Sequence, residues 1–270
     1  MRSVPASFDE AAVREVDGLL GALAAEHAVA VPLAVESGSR AWGFPSPDSD
    51  YDCRFVYVRR AEDYLTPWLG RDVIERAPSA LLDVNGWDLR KALSLLVKGN
   101  AVILEWLTSP VVYAGDEAFR DTLRALADRI ADRGAVGRHY LHVARSQHRR
   151  FSLPDGRMPR KKLFYALRPA IALHWLRERP DDAVPPMHLQ ALLAQTPVPD
   201  DVRAEVEALL AAKAVTRELG LAPVPTGVAR YLGEQLVDEP WLDARRDPAA
   251  TAATRADAAD VFRWAVRGYG

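Results

Sequence analysis

One cysteine, Cys53, stands in 270 residues. That scarcity excludes an intramolecular disulfide and a thiolate zinc cluster, and it fits a reducing interior. No apolar run approaches the roughly 20 residues of a membrane span, and the N-terminus has no basic start leading into an apolar stretch and a small-residue cleavage site. The expectation is a cytoplasmic protein with no membrane part. Also absent are a strand-helix G-x-G-x-x-G, a Walker A loop and a nucleophile elbow, which removes the dinucleotide-binding, P-loop and α/β-hydrolase classes. A strong net charge is missing too: the formal value is -2, so nothing global favours a polyanionic partner.

What is present is an uneven distribution of charge. Residues 133–179 hold 12 basic and 2 acidic side chains, whereas 1–132 hold 14 and 21. With 49% hydrophobic residues the chain has enough apolar material for one large domain or two small ones.

Hydrophobic periodicity orders the chain. Ser7 and Glu10 read as a capping box before a helix over "AAVREVDGLLGALAAEHA". "AVAVPLAVESG" reads as a buried strand closed by a turn at Gly38-Ser39, and after the loop "GFPSPDSD" comes a second strand, "YDCRFVYVRR". "DVIERAPSALLDVNGWDL" predicts a hairpin, and "LRKALSLLVKGNAVILEWLTS" a helix broken near Gly99-Asn100. Beyond about Gly115 the pattern is helical, over 116–131, 135–152, 160–178, 187–195, 200–218 and 255–268. The fold class expected is α+β: an N-terminal α/β unit with a small mixed sheet, residues 1–115, followed by a helical domain, 116–270.

The chemistry concentrates at "GSRAWGFPSPDSDYDCRFVYV". In a strand, residues two apart share a face with Cα atoms about 6.6–6.8 Å apart, which would put Asp50 and Asp52 side by side. Paired carboxylates repel unless one is protonated or a cation lies between them, and their hard oxygens suit magnesium or manganese. A glycine at the end of the preceding strand allows close approach of a phosphate, and a serine adds donors. An exposed acidic loop is the plain alternative reading of D-x-D by itself.

Gly-Ser, strand and D-x-D in this order resemble the DNA-polymerase-β-like nucleotidyltransferases, and the fuller strings resemble the nucleotidyltransferases associated with RNA-repair operons. "DVNGWDLRKALSLLVKGNAVILEWLTSPVVY" and "KKLFYALRPAIALHWL" extend the similarity over roughly residues 30–215. The resemblance implies that Gly38 and Ser39 hold a nucleoside triphosphate, with Arg40 framing it, and that Asp50 and Asp52 bind Mg2+ or Mn2+. It implies a third carboxylate, Asp83, with Asp88 as the other candidate unless Asp88 caps the following helix. The implied reaction is attack of a hydroxyl on the α-phosphate with loss of pyrophosphate, the acceptor being an RNA end. The alternatives are a non-catalytic nucleotide- or RNA-binding module, or an adenylyltransferase acting on a protein or small molecule.

The basic segment fits polyanionic substrates. Lys161, Lys162, Tyr165 and Arg168 lie at helical spacing, and the resemblance makes Lys162, Tyr165 and Arg168 a clamp for triphosphate and base, with Lys91 facing the nucleotide as well. An amphipathic helix with snorkelling cations is the competing reading. His139, His142 and His148 lack the further ligands a zinc site requires.

Overall fold

Helix α1 (Glu10–His27) starts one residue after Asp9, whose carboxylate accepts from the Ala12 N–H. Asp9 is therefore the cap, and the expected Ser7/Glu10 box is not the one used: Glu10 already lies within the helix. The structure, a computed structural model, describes residues 1–77, 81–217, 220–243 and 247–270.

After α1 come β1 (Ala30–Ser37), a short helix α2 (Gly38–Ala41), β2 (Tyr51–Val58), α3 (Ala61–Tyr64), β3 (Val73–Glu75), β4 (Leu82–Asp88), α4 (Leu89–Val97), α5 (Ala101–Thr108), β5 (Val112–Gly115) and α6 (Glu117–Ile130). The five strands form one mixed sheet in the order β3-β4-β2-β1-β5. β2 runs parallel to β4, and every other neighbouring pair is antiparallel. The expected hairpin is β3 with β4; its connecting residues 78–80 lie outside the described residues.

The strands obey the period-2 rule. Tyr51, Cys53, Phe55 and Tyr57 of β2 share one core cluster with Val13, Val16, Leu20 and Leu23 of α1. The alternate positions, beginning with Asp52 and Arg54, therefore take the other face of the sheet. The helix predicted to break near Gly99 does so: Gly99 has φ +71, and Asn100 caps α5 by accepting from the Val102 N–H.

The chain then forms α7 (Arg133–Phe151), β6 (Arg157–Pro159), α8 (Arg160–Glu178), α9 (Leu189–Gln195), α10 (Asp200–Val215), β7 (Leu221–Pro223), α11 (Thr226–Gln235), a 3-10 turn (Pro240–Asp243) and α12 (Pro248–Tyr269). Helix α11 and the two-stranded β6/β7 ribbon are additional to the expected helices. For the helix expected over 200–218, residue 218 lies outside the described residues.

Two units emerge, each discontinuous in sequence. The first comprises Met1–Ala41, Asp50–Ala131 and Arg246–Gly270; the second comprises Trp42–Ser49 and Asp132–Arg245. The division drawn at 115/116 followed chain order, whereas contacts bring α12 back to the first unit, where Phe262 packs edge-on against Tyr64 and Trp264 stacks on Phe119. No described helix is long and apolar enough to cross a membrane.

Candidate active site

Sheet register determines which residues meet. Asp52, on the second position of β2, pairs with Ser37 at the end of β1 on one side and with Asp83 near the start of β4 on the other. Gly38 and Ser39 follow Ser37 directly, so Gly-Ser, Asp52 and Asp83 lie at one end of the sheet. Gly38 has φ +65, and a Cβ built on it would fall 2.0 Å from Asp52 Oδ2. Only glycine allows that carboxylate oxygen to sit against the backbone.

Asp50 lies just before β2 rather than on it, and is exposed. Its carbonyl accepts from Arg40 Nε at 3.1 Å, and the Arg40 guanidinium lies 3.8 Å from the centre of the Tyr51 ring. Arg40 is thereby fixed against the same end of β2. Ser39 is buried.

Two residues that the strand pattern did not single out complete the charge arrangement. Arg54, two positions after Asp52 and on the same face, donates from Nη2 to Asp52 Oδ1 at 3.0 Å and to Asp83 Oδ2 at 2.6 Å. Its Nη1 donates to the carbonyls of Cys53 and Asp83. Glu36 is fully buried beneath Asp52: its Oε1 accepts from the Asp52 N–H at 3.0 Å and its Oε2 from the Tyr113 hydroxyl at 2.5 Å. Burial pushes the Glu36 carboxyl up to about 8, against the opposing pull of those two hydrogen bonds. An acidic residue inside an otherwise apolar strand, immediately before Ser-Gly-Ser, was the available sequence signal for it.

Asp52 is itself held above its ordinary pKa, first by burial; Arg54 opposes the shift, while Asp83 and Asp50 add to it. The donor set consists of hard carboxylate oxygens, the type that magnesium and manganese prefer. Among the described residues no three acidic, histidine or cysteine side chains already converge in metal-binding geometry, because Asp83 and one oxygen of Asp52 are engaged by Arg54. The chemistry nonetheless fits a divalent cation: Asp52 Oδ2 lies against the one residue without a Cβ, and the Arg54 guanidinium shows that a cation is accommodated between Asp52 and Asp83.

Two other sequence candidates fall away from this cluster. Asp88 caps α4, accepting from the Arg90 N–H, and pairs with Arg59 at 2.9 Å. Lys91 pairs with Asp72 at 3.0 Å. Both stand past or at the far end of β4 from Asp83, so the expectation that Lys91 faces the nucleotide is not met by its position. A strand read from sequence has no visible direction relative to its neighbours, and the parallel pairing of β2 and β4 puts Lys91 at the wrong end.

The remaining candidates belong to the second unit. Lys162 Nζ lies 5.0 Å from the centre of the half-buried Tyr165 ring, and Tyr165 meets Trp42 edge-on. Lys161 pairs with Asp48 at 2.9 Å. Arg168 is buried, donates from Nε to the Met187 carbonyl and lies over the Trp42 ring, which is a packing role rather than an open phosphate fork.

The family model described as RlaP, the RNA repair pathway DNA polymerase beta family, matches residues 13–262. The chain is also similar to "Uncharacterized protein YcgL" of Bacillus subtilis (strain 168), with 41% identity over 195 residues, which is 72% of this chain and 74% of that protein.

Proposed function

Because this chain belongs to the RNA repair pathway DNA polymerase beta family, we propose that it transfers a nucleoside monophosphate from a nucleoside triphosphate to the hydroxyl of an RNA end, releasing pyrophosphate. One observation carries this reading. The register Ser37, Asp52, Asp83 across β1, β2 and β4 puts a glycine-serine turn and two carboxylates at the same sheet end, with Asp50 just ahead of them.

In this reading Gly38 and Ser39 receive the triphosphate, and the missing Cβ leaves room for it beside Asp52. Arg40, anchored on Tyr51, offers positive charge to the phosphates. Asp50 and Asp52 hold Mg2+ or Mn2+, with Asp83 as the third carboxylate; a bound divalent ion would supply charge stabilisation for the attacking and leaving oxygens. Asp83, with a 37% exposed side chain, is accessible to accept the proton of the incoming hydroxyl. Arg54 keeps Asp52 and Asp83 aligned, and Glu36 fixes the backbone under Asp52.

The test is incubation with each labelled nucleoside triphosphate, magnesium or manganese, and a 3′-hydroxyl RNA, beside the Asp50→Ala/Asp52→Ala double variant. Label on the RNA with the wild type and none with the variant is the expected result. Label on the protein itself or on a small acceptor instead would move the reading to a different adenylyl acceptor, and nucleotide binding without turnover would make the chain a binding module.

A further inference from the structure

At the other end of β2 and β4, the first unit contains a cavity of about 540 Å3 between α4 and α12. It lies away from the carboxylates along β4: Asp83 and Asp88 are five residues apart, about 17 Å at about 3.3 Å per residue, and the lining residue Arg90 comes two residues later. The floor is apolar, formed by Leu93 and Val97 of α4 and by Ala258, Ala259 and Phe262 of α12, with Leu69 at one side. Three cations line it, Arg90, Lys98 and Arg255, and none of the lining residues is acidic.

Arg90, Lys98 and Arg255 are all exposed and stand around one apolar floor. No carboxylate among the described residues pairs with Arg90, Lys98 or Arg255. Charges placed only for solubility would be mixed in sign, and like charges around one apolar hollow repel unless an anion completes them. Arg90 in the first turn of α4 and Lys98, the cap residue just past its end, stand eight residues apart, about 12 Å, which brackets the length of the groove.

We infer that this cavity is a second ligand site, for a small amphipathic anion: an apolar chain or aryl body lying on Leu93, Val97 and Phe262, and a single phosphate, carboxylate or sulfonate head held by Lys98 and Arg255, with Arg90 at the other end of the groove. The volume falls in the usual range for small-molecule sites, about 300–1,000 Å3, and is too small for a folded partner. The hollow has few neutral hydrogen-bonding groups, chiefly Ser94, since the Tyr64 hydroxyl already accepts from the Arg59 N–H and donates to Asp88 Oδ1, so a free nucleobase would lose more hydration than it recovers there. The site depends on no part of the nucleotidyl-transfer reading.

The probe is anilinonaphthalene sulfonate, an aryl anion whose fluorescence reports apolar burial, titrated into the full chain and then displaced with decyl phosphate or with uncharged decanol. The expected result is saturable binding at one site, displacement by decyl phosphate far below the concentration needed for decanol, and affinity at least about tenfold weaker in Lys98→Glu/Arg255→Glu. Those two side chains are exposed, so the variant retains its circular dichroism and melting temperature. Ala259→Trp, which fills the hollow, removes binding by a second route. Unchanged affinity in the charge-reversed protein would overturn the proposal. So would loss of the signal only in Trp68→Ser, since Trp68 is 86% exposed and would then be the dye's true contact. Binding to phosphatidylglycerol vesicles through Lys98 and Arg255, without binding of the free probe, would replace the small ligand by a membrane surface.

Discussion

Gly38 and Arg54 bear the site's geometry from opposite directions, one by having no side chain and the other by the reach of a long one. Gly38→Ala places a methyl 2.0 Å from Asp52 Oδ2 on a backbone at φ +65. The variant should lose about 1–3 kcal/mol of stability and, because Asp52 must move, its nucleotidyl transfer; thermal melting and pyrophosphate release check the two parts. Arg54→Met leaves Asp52 and Asp83 facing each other without a counter-charge. With the guanidinium only 14% exposed but both acids partly solvated, the expected destabilisation is about 1–3 kcal/mol. Magnesium should then raise the melting temperature of Arg54→Met more than that of the wild type, since a cation takes the vacated place; an equal shift in both would remove Arg54 from this role. The pairing of Asp50 with Asp52 was suggested by strand period, and Asp83 by the family resemblance, which left Asp88 open beside it. Arg54 was not, because a lone arginine in "YDCRFVYV" has no partner until β4 is known to lie beside β2.

The elements follow local rules where a rule applies. Asp9, Asp88, Asn100, Asp116 and Asp132 each cap the helix they precede, and Asn100→Ala should cost about 1 kcal/mol in melting experiments. Gly86 is more demanding: a Cβ there would lie 2.2 Å from the Phe55 ring across the parallel β2/β4 pair. Gly86→Ala should destabilise by about 1–3 kcal/mol through overpacking, measurable by urea unfolding, with relief if Phe55 is replaced by Leu. Strong alternation and 3.6-residue periodicity made α1, β1, β2, α4, α5, α6, α7 and α8 legible. The short strands β5, β6 and β7 were not, since three or four residues such as Leu221–Pro223 carry no period and form only because a partner strand is supplied from far along the chain.

Across the whole chain, the two units recruit segments that sequence order assigns elsewhere. Trp42–Ser49 packs in the second unit, where Phe44 stacks on Phe164 and its carbonyl accepts from the buried Lys213. Burial lowers the Lys213 ammonium from 10.5 to about 8, with Lys161 and Lys162 adding to the effect. A lysine depressed on folding binds fewer protons in the folded than in the unfolded chain between those two values, so stability rises with pH across that window. The difference between wild type and Lys213→Met, followed as melting temperature from pH 7 to 10.5, should show this rise in the wild type alone. The helix expected over 255–268 forms as α12, but nothing in the Ala/Asp-rich tail showed that it would close the first unit, because small residues such as Ala258 and Ala265 mark close helix packing only once their neighbours are known.

In our proposal Gly38, Ser39, Asp50, Asp52 and Asp83 form one metal-dependent nucleotidyltransferase centre. Its most direct test is pyrophosphate release from nucleoside triphosphates in the presence of magnesium and a 3′-hydroxyl RNA, comparing wild type with Asp52→Asn under conditions where both melt cooperatively. Metal-dependent release from the wild type is expected, with a fall of at least about 100-fold in the variant, of the order a lost electrostatic group produces. Release that persists in Asp52→Asn would contradict it.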